Sequence, residues 1–394
     1  MEKTYRILLV HNRYQIPGGE DTVFENEAKL LEEHGHTVFR YERNNTEIKE
    51  RSGVGKLALP FETIYSLKSE ADIRHLIREK QIDLVHVHNT LLLVSSSVFD
   101  AALKEHVPVI QTIHNFRMIC PAGICYRDGR ICLDCLSKGL SSAVKNRCYR
   151  GSLSQSLVLT ISMQFQRLRR IYRHVHFIVL TEFNRGMLMK QGQIALRQID
   201  VKPNFTDCER EILPFERRKR QIVFAGRLDE TKGVRFLLEI AERMKDSDWT
   251  FVILGTGPLA EECQKTVSEK NLTHVELRGL VDHDTVLDEI AQSQALILPT
   301  RWYEGFPMTL VEAMSLGTPC IVPDFGNAGS MIAEGKSGYH YHADDPDSCM
   351  QVFTKNLSIN EQVRAEYEAN YSKEANYRIL MEIYGKVLRE HERK

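Results

Sequence analysis

At residues 304–312 the chain reads Glu304-Gly305-Phe306-Pro307-Met308-Thr309-Leu310-Val311-Glu312, and no other nine residues say as much about its fold. Directly before this stretch, Ala295–Pro299 is a short apolar run that predicts a buried strand. Beyond it, Gly317 stands where a helix starting after Pro307 would end, because glycine commonly follows the last residue of a helix. A strand, a loop and a helix start in this order predict a parallel α/β sheet with a ligand site at the carboxyl ends of its strands.

Two carboxylates, Glu304 and Glu312, flank the predicted helix start. The first turn of a helix offers backbone N–H groups to an anion, which is most often a phosphate. A carboxylate on either side of such an anion can accept hydrogen bonds from sugar and ribose hydroxyl groups. The stretch therefore indicates a nucleotide-sugar site.

Short β-rich runs alternate with amphipathic helical stretches along nearly the whole chain. In the first half, the predicted strands are Arg6–Val10, Thr37–Tyr41, Leu84–His88, Val107–His114 and His176–Leu180. In the second half, they are Ile222–Gly226, Phe251–Gly255, Val275–Gly279, Leu296–Pro299 and Pro319–Pro323. The alternation predicts parallel sheets with helices on both faces, and each half restarts with an apolar strand. We therefore expect an α/β protein with two doubly wound domains, joined at the polar and charged stretch 204–220.

Length and composition exclude several classes of protein. At 394 residues the chain is long enough for two domains, and 52 Lys and Arg residues balance 53 Asp and Glu residues, so we expect no nucleic-acid partner. No apolar run reaches the roughly 18 residues of a membrane span, and the N-terminal residues lead into a strand rather than a signal peptide. We therefore expect a cytoplasmic protein, in which nine cysteines do not predict a disulfide framework.

Two cations follow the first predicted strand of the second half. Arg227 and Lys232 lie five positions apart in the loop Gly226–Gly233, where two fixed positive charges can clamp a diphosphate. The alternative is a solvated turn. The carboxylate motif in the same half of the chain favours the clamp.

The first half also has candidate ligand residues at strand ends. The loop Pro17–Glu20 contains Gly18 and Gly19, which let the backbone approach a ligand closely and adopt positive φ angles. The alternative is an ordinary turn between a strand and a helix. His114 ends an apolar strand, so its side chain is expected to point toward the ligand crevice.

Two further patterns favour structural interpretations. His86 and His88 alternate along a strand and therefore share one face, but the sequence shows no third ligand at metal spacing. The run Gly255–Ala260 matches a dinucleotide-binding fingerprint, with Glu276 about twenty residues later. Because Pro258 removes an N–H group where a pyrophosphate would dock, a ligand-facing turn is favoured over an NAD site.

A cysteine-rich segment follows His114. Cys132 and Cys135 have the spacing of a zinc knuckle, and a structural tetrahedral site needs four thiolates. The set that we expect to bind a structural zinc ion is Cys120, Cys132, Cys135 and Cys148. The alternative is free thiols in a loop.

A basic stretch comes next. Between residues 136 and 176 there are eight Lys or Arg residues and neither Asp nor Glu, and Leu153–Phe165 within it is apolar. A basic amphipathic segment of this kind can lie on an anionic membrane surface. The alternative is a buried helix with a basic end.

With these residues assembled, the chain resembles a retaining glycosyltransferase of the GT-B fold, family 4 (glycosyltransferase group 1), over nearly its whole length. The most specific part of the resemblance is the E-x7-E pattern from Glu304 to Glu312. It implies two Rossmann-like domains that face each other across a cleft. Residues 1–205 would form the acceptor-side domain, with the cysteine-rich and basic segment at about 120–175. Residues 206–375 would bind the nucleotide-sugar, and a helix at 376–394 would return to the first domain.

The resemblance also implies roles for the site residues. Glu304 would contact the donor sugar and His114 would help to stabilise the transition state, so both are expected to be catalytic. Glu312 would bind the ribose hydroxyl groups. The other expected donor-binding residues are Gly18, Gly19, Arg227, Lys232, Gly305, Phe306, Pro307, Met308, Thr309 and Leu310. Because cations and a helix N-terminus can stabilise the leaving diphosphate, we expect no metal or other cofactor to be required for catalysis.

We therefore expect a hexosyltransferase that moves a sugar from a nucleotide-sugar, UDP-linked rather than GDP-linked, to a carbohydrate or lipid-linked acceptor in polysaccharide or glycan biosynthesis. Peripheral contact with the anionic inner face of a membrane is part of this expectation. The alternatives are a nucleotide-sugar 2-epimerase on the same architecture and an NAD enzyme that uses Gly255–Ala260.

Overall fold

The computed structural model describes residues 3–15, 18–208 and 210–393, and Pro17 of the predicted glycine loop lies outside them. The strands are β1 (Arg6–Arg13), β2 (Thr37–Asn44), β3 (Leu84–Val87), β4 (Val109–Ile113), β5 (Tyr126–Arg127), β6 (Arg130–Ile131), β7 (His176–Val179), β8 (Ile199–Val201), β9 (Lys219–Ala225), β10 (Thr250–Leu254), β11 (Val275–Gly279), β12 (Ser293–Ile297), β13 (Cys320–Pro323) and β14 (Gly338–Tyr341). The helices are α1 (Gly19–Glu33), α2 (Glu47–Glu50), α3 (Gly53–Ile64), α4 (Leu67–Lys80), α5 (Ser97–Lys104), α6 (Asp134–Ser137), α7 (Ser141–Lys145), α8 (Leu153–Leu168), α9 (Glu182–Met189), α10 (Val234–Arg243), α11 (Ala260–Glu269), α12 (His283–Gln292), α13 (Met308–Ser315), α14 (Gly326–Met331), α15 (Pro346–Val352), α16 (Asn360–Asn370) and α17 (Lys373–Glu392).

The chain divides into two compact units. Unit 1 comprises Met1–Cys125, Leu133–Lys202 and Tyr377–Lys394, and unit 2 comprises Tyr126–Cys132 and Pro203–Asn376. The larger part of α17 therefore belongs to unit 1, and the short hairpin of β5 and β6 belongs to unit 2. No helix in the described ranges combines the length and apolar character needed to span a membrane.

Unit 1 is built on a parallel sheet with the strand order β2-β1-β3-β4-β7-β8. The central strand β1 is apolar on both faces because successive side chains of a strand point to opposite sides. Leu8 and Val10 pack into the core on one face, whereas Ile7 and Leu9 pack into the core on the other. The second of these cores also receives Leu380, Ile383, Tyr384 and Val387, so α17 covers one face of this sheet.

Unit 2 is built on a second parallel sheet, with the strand order β11-β10-β9-β12-β13-β14. Strand β9 lies at its centre, and the side chains Ile222–Ala225 are buried on both faces. The edge strand β11 instead alternates between more buried and more exposed side chains. The helices that follow each strand cover the two faces, as expected for parallel strands joined by crossover helices.

All ten predicted strands are present, with ends that shift by a few residues. The sequence did not reveal β8 and β14, which are short strands that extend one edge of each sheet. Nor did it reveal the hairpin of β5 and β6, because strands of two residues carry no periodic pattern.

Two glycines allow loops at the carboxyl edge of the unit 2 sheet to pack closely. Gly233 has a φ angle of +70°, and a Cβ atom there would lie 1.7 Å from the carbonyl oxygen of Pro299. Gly255 has a φ angle of +130°, and its Cβ atom would lie 2.0 Å from the carbonyl oxygen of Gly226. The glycine at 255 is thus explained by backbone packing between the loops that follow β9 and β10, without a dinucleotide.

We predict that Gly233→Ala lowers the melting temperature more than Gly279→Ala does. Both positions have positive φ angles, +70° and +66°, so both variants incur the left-handed penalty of about 1–2 kcal/mol. A Cβ atom at Gly279 meets no other heavy atom within 4 Å, whereas one at Gly233 collides with backbone. Thermal unfolding followed by circular dichroism measures the difference. Equal losses in the two variants would show that the contact with Pro299 is not a constraint.

Candidate active site

The candidate site lies where the strand order of the unit 2 sheet reverses. From β9 the chain proceeds outward to β10 and β11, then returns to β12 on the other side of β9 and continues to β13 and β14. The loops that leave the carboxyl ends of β9 and β12 therefore diverge, and a crevice opens at such a switch point. The first loop carries Arg227 and Lys232, and the second carries Glu304. The fold thus brings the predicted cations and the first predicted carboxylate to one place.

An ion pair joins the two loops. The Nζ atom of Lys232 lies 2.8 Å from Oε1 of Glu304, and the hydroxyl oxygen of Thr300 lies 2.9 Å from the same carboxylate oxygen. The Glu304 side chain is 6% exposed, whereas that of Lys232 is 23% exposed. A carboxylate at this depth needs a positive partner and hydrogen bonds to offset the loss of water. The partners found here also fix its position.

The backbone at Glu304 is held in an unusual conformation. Its φ angle is +47°, a region that residues other than glycine rarely occupy. The buried amide of Asn327, on α14, donates hydrogen bonds to the carbonyl oxygens of Glu304 at 2.8 Å and Gly305 at 2.7 Å. Asn327 therefore stabilises the turn that directs the Glu304 side chain toward Lys232.

Asp229 organises the loop that follows β9 and carries Arg227 and Lys232. Its carboxylate accepts hydrogen bonds from the backbone N–H groups of Thr231 at 2.9 Å and Lys232 at 3.1 Å, and from Nε of Arg227 at 2.5 Å. Burial alone would raise the pKa of Asp229, but the hydrogen bonds from Thr231 and Arg227 outweigh burial and lower it. The Arg227 side chain remains 70% exposed, so its guanidinium group is accessible to an anion from solvent.

Helix α13 begins directly after the loop that follows β12 and carries Glu304. Its N-cap residue is Pro307, and no side chain caps the helix. The first turn, with Met308, Thr309 and Leu310, therefore lacks the side-chain acceptor that commonly occupies a helix N-terminus, which suits it to an anion. Before the helix, Phe306 packs against the core of unit 2, and its ring centroid lies 6.4 Å from that of Tyr371.

Glu312 lies one turn into α13, and its side chain is 13% exposed. Burial raises the pKa of Glu312, and the nearby imidazole of His283, 3.8 Å from Oε1, offsets only part of this effect. The carboxylate is thus poorly solvated in the free protein.

In unit 1, His114 follows β4 and is 8% exposed. Its Nε2 atom forms a hydrogen bond of 3.0 Å with Nδ1 of His88, and burial lowers the pKa of His114 well below its ordinary value. Gly18 is the N-cap of α1 with a φ angle of −133°, and neither Gly18 nor Gly19 has a positive φ angle. The expectation of positive φ was wrong because Gly18 adopts the extended backbone of an N-cap. A Cβ atom at Gly19 would meet no heavy atom within 4 Å, so open space adjoins this position.

Comparison with known families matches both units. A family model described as "Glycosyltransferase Family 4" matches residues 17–210, and one described as "Glycosyl transferases group 1" matches residues 206–376. The two matches meet at the junction of the units. The chain belongs to the family 4, group 1 glycosyltransferases.

Curated relatives of this glycosyltransferase are distant. An uncharacterized glycosyltransferase of Methanocaldococcus jannaschii is 29% identical over 160 residues, which are 41% of this chain and 44% of the relative. The Escherichia coli UDP-Gal:alpha-D-GlcNAc-diphosphoundecaprenol alpha-1,3-galactosyltransferase is 21% identical over 309 residues, which are 74% of this chain and 70% of the relative. In the first alignment, the chain spans less than half of the relative's length.

Solved structures establish the fold of the glycosyltransferase as GT-B. A glycosyltransferase from Rickettsia africae superposes with a TM-score of 0.69 at 16% identity, covering 98% of this chain and 99% of that one. Anabaena HepE, solved with UDP and glucose, superposes with a TM-score of 0.63 at 15% identity, covering 97% of this chain and all of the other.

Sequence reasoning missed three residues that shape the site of the glycosyltransferase. Asp229, Thr300 and Asn327 hold Lys232 and Glu304 in place, but they bear no motif. Asp229 had a usable signal, because an Asp is a typical N-cap and the short 3-10 helix Glu230–Lys232 follows it directly. Thr300 and Asn327 follow the carboxyl ends of β12 and β13, so their position at the sheet edge was their only signal.

The cysteines predicted to bind zinc form no ligand cluster among residues that the structure describes. There, the potential ligand atoms that gather within 4.8 Å of one another belong to Glu27, His86 and His88. The sequence showed no third ligand-type residue at metal spacing beside His86 and His88, because Glu27 from α1 approaches them only in the folded chain. Zinc binding by Cys120, Cys132, Cys135 and Cys148 stays a prediction that direct metal analysis of the purified glycosyltransferase would test.

We predict that Glu312→Gln stabilises the unliganded glycosyltransferase in a pH-dependent way. Because the pKa of Glu312 is raised in the folded protein, ionisation of this group costs stability, and the cost appears as pH rises from 4.5 through the folded-state pKa. Below that window the variant and the wild type should melt alike, and above it the variant should melt at the higher temperature. Glu382→Gln, at an exposed position of α17, is the matched control. A pH-independent difference for Glu312→Gln would contradict this interpretation of its burial.

Proposed function

We propose that this enzyme is a retaining hexosyltransferase that uses a nucleotide-sugar, with UDP preferred over GDP, and a carbohydrate or lipid-linked acceptor in glycan biosynthesis. The observation that carries the proposal is the ion pair between Lys232 and Glu304 at the switch point of the unit 2 sheet. Positive charge and an uncapped helix start adjoin a buried carboxylate there, and a sugar diphosphate needs all three.

The donor site would use the groups at the crevice as follows. The diphosphate would bind at the start of α13, where no side chain caps the helix, with Lys232 and the exposed guanidinium group of Arg227 as counter-charges. Glu312 would accept hydrogen bonds from the ribose hydroxyl groups, which would replace the solvation that burial removes. Glu304 would contact the sugar, together with the backbone of Gly305 and Phe306.

The chemistry would depend on stabilising the leaving diphosphate. As the bond from the anomeric carbon to the phosphate oxygen breaks, negative charge develops on that oxygen, and Lys232, Arg227 and the α13 dipole would offset it. A hydroxyl oxygen of the acceptor would form the new bond on the same face of the sugar. The leaving phosphate oxygen would take the proton of that hydroxyl group. This scheme retains the anomeric configuration and assigns no catalytic step to a metal.

The proposed substrates draw support from the relatives. One is by name a transferase of galactose from UDP-galactose to a diphosphoundecaprenol-linked sugar, and another was solved with UDP and glucose. His114, at the end of β4 in unit 1, would contact the donor sugar during transfer. A nucleotide-sugar 2-epimerase is the alternative, and it would turn over the donor without any acceptor.

We also propose that unit 1 contacts an anionic membrane through the outer face of α3 and α8. The two helices pack together, and the hydroxyl group of Ser162 donates a hydrogen bond of 3.2 Å to the carbonyl oxygen of Thr63. The inner face of α8 is buried, whereas the outer face of the pair, which we name the α3/α8 face, exposes Leu57, Phe61, Leu153, Leu157, Ile161 and Leu168.

Basic residues flank the helices of the α3/α8 face in the sequence. Exposed basic residues precede α8, follow it and lie on α3; they are Lys56, Lys145, Arg147, Arg150, Arg170 and Arg173. Apolar side chains ringed by Lys and Arg are typical of helices that lie in the headgroup region of anionic bilayers. The sequence alternative of a buried helix describes only the inner face of α8.

A thermal-shift screen with UDP-, GDP- and ADP-sugars, each with and without divalent metal, tests the donor proposal. We expect a UDP-sugar to raise the melting temperature and chelator to leave the shift unchanged. Lys232→Met should weaken donor binding on the order of 10- to 100-fold, because one charge-assisted contact is lost. Lys265→Met is the matched control and should bind the donor normally. Lys265 is an exposed residue of α11, and its Nζ atom lies 3.7 Å from the carboxylate of Glu269.

The catalytic assignment of Glu304 requires an assay of transfer. We expect Glu304→Gln to lower the rate of sugar transfer on the order of 100-fold or more while it melts within a few degrees of the wild type, since the amide keeps a hydrogen bond to Thr300. The configuration of the product, read by NMR, should match that of the donor. Near-wild-type transfer by Glu304→Gln would contradict the site, and donor turnover without acceptor would favour the epimerase.

Flotation with lipid vesicles tests the membrane proposal. The wild type should float with vesicles that contain an anionic lipid and remain at the bottom with neutral phosphatidylcholine. Phe61→Glu with Leu157→Glu should reduce flotation, because both changes add negative charge to the α3/α8 face. Leu280→Glu alters an exposed apolar residue of unit 2 and is the matched control. Equal flotation of all variants, or equal flotation with both lipids, would rule out this surface.

A further inference from the structure

Unit 1 contains a buried ion pair that the proposed reaction does not use directly. Glu27, on α1, places Oε2 at 2.9 Å from the Nζ atom of Lys202, the residue that follows β8. The two side chains are 1% and 2% exposed. Burial of both charges is costly, so a pair at this depth calls for an explanation beyond stability.

Two histidines lie within ion-pair distance of the other oxygen of Glu27, although neither forms a hydrogen bond with it. Nδ1 of His86 lies 2.9 Å and Nε2 of His88 lies 3.2 Å from Oε1. These three residues resemble the ligands of a metal site. The ammonium group of Lys202, however, already supplies the positive charge beside Glu27, and a divalent cation at the same carboxylate would be repelled by it. The cluster is therefore interpreted as an ionic network.

The network continues to His114. Nδ1 of His88 and Nε2 of His114 form a hydrogen bond of 3.0 Å, and the two rings stack with centroids 5.2 Å apart. A hydrogen bond between two neutral imidazoles contains one proton, which belongs to one ring or the other. The negative charge of Glu27, 3.2 Å from Nε2 of His88, favours a proton on this nitrogen by electrostatic attraction, without the geometry of a hydrogen bond. Nδ1 of His88 is then an acceptor, and Nε2 of His114 must be the donor.

We propose that Glu27 is a positioning residue that acts through His88 to keep the proton of His114 on Nε2, so that Nδ1 of His114 is a hydrogen-bond acceptor. The proposal rests on the proposed function for the contact of His114 with the donor sugar. An acceptor nitrogen would select a hydroxyl group of the sugar as its donor. The other tautomer would present an N–H group instead and would turn that hydroxyl group away.

Burial keeps the rings of His88 and His114 uncharged, so the position of the proton on each neutral ring decides its hydrogen bonds. Burial lowers the pKa of His88 to about 4, although Glu27 acts in the opposite direction, and it lowers the pKa of His114 well below its ordinary value. Both rings are therefore neutral at neutral pH. The choice between two neutral tautomers then decides which nitrogen donates and which accepts.

Long-range 1H–15N NMR correlation spectra of the full-length protein, labelled with 15N-histidine, read the tautomers directly. Spectra of His88→Gln and His114→Gln assign the two rings. In the wild type we expect both rings to be protonated on Nε2. In Glu27→Gln, the neutral amide no longer holds the proton of His88, and the His114 signals should shift toward the Nδ1-protonated form or a mixture.

Kinetics give a second readout. We expect Glu27→Gln to lower kcat for sugar transfer about 10- to 100-fold, as is typical when a carboxylate that orients a functional histidine is removed. KM for the nucleotide-sugar should change less than kcat, because the proposed diphosphate contacts at Lys232, Arg227 and the start of α13 stay intact. Asp200→Asn is the matched control: Asp200 also pairs with a histidine and a lysine, His176 at 2.7 Å and Lys386 at 2.8 Å, but has no link to His114. It should leave the His114 signals and kcat unchanged.

A second variant covers the case in which Glu27→Gln does not fold because Lys202 loses its partner. The double variant Glu27→Gln with Lys202→Met removes both charges, and it should fold and show the same change at His114. A folded variant with unaltered His114 signals and kcat would overturn the proposal, as would a bound metal ion that the wild type holds and Glu27→Gln loses. If no nucleotide-sugar is turned over, the proposed function fails, while the spectra still decide the tautomer.

Discussion

The close approach of two backbone segments in unit 2 underlies the candidate site. The loop after β9 passes so near the end of β12 that position 233 has no room for a side chain. Because of that contact, Lys232 reaches Glu304, and the two loops at the switch point form one charged crevice. Asp229, Thr300 and Asn327 then fix the side chains within it. The site therefore depends on sheet packing first and on its charged residues second.

Each unit contains a buried carboxylate that forms an ion pair with a lysine. In unit 2, Glu304 pairs with the partly exposed Lys232, which an incoming anion can reach. In unit 1, the pair of Glu27 and Lys202 is fully enclosed, so its influence passes only through neighbouring groups such as His88. The same physical requirement, a counter-charge for a buried carboxylate, yields a ligand-binding pair in the proposed donor site and an orienting pair in unit 1.

The structure contains the predicted strands. They were predictable because a buried parallel strand is a continuous apolar run, which can be recognised from consecutive residues alone. The short edge strands β8 and β14 are defined by pairing with a neighbour, so local composition did not reveal them. The residues of the candidate site divide in the same way. Arg227, Lys232, Glu304 and Glu312 belong to short motifs, whereas Thr300 and Asn327 matter through contacts with distant segments. At Gly18 only the conformation differed, because an N-cap with an extended backbone requires no positive φ angle.

By itself the sequence determined the α/β class with two Rossmann-like domains and the family, and it supplied the residues of the proposed donor site. These features are local, because strand periodicity, glycine at turns and the spacing of charged residues each involve residues that lie close together in the sequence. Only the tertiary structure decided that Lys232 pairs with Glu304, that α3 joins α8 in one exposed apolar face, and that Glu27 and Lys202 meet the histidines beside His114. Each of these contacts joins residues far apart in the chain, and their distances are set by how helices pack on a sheet.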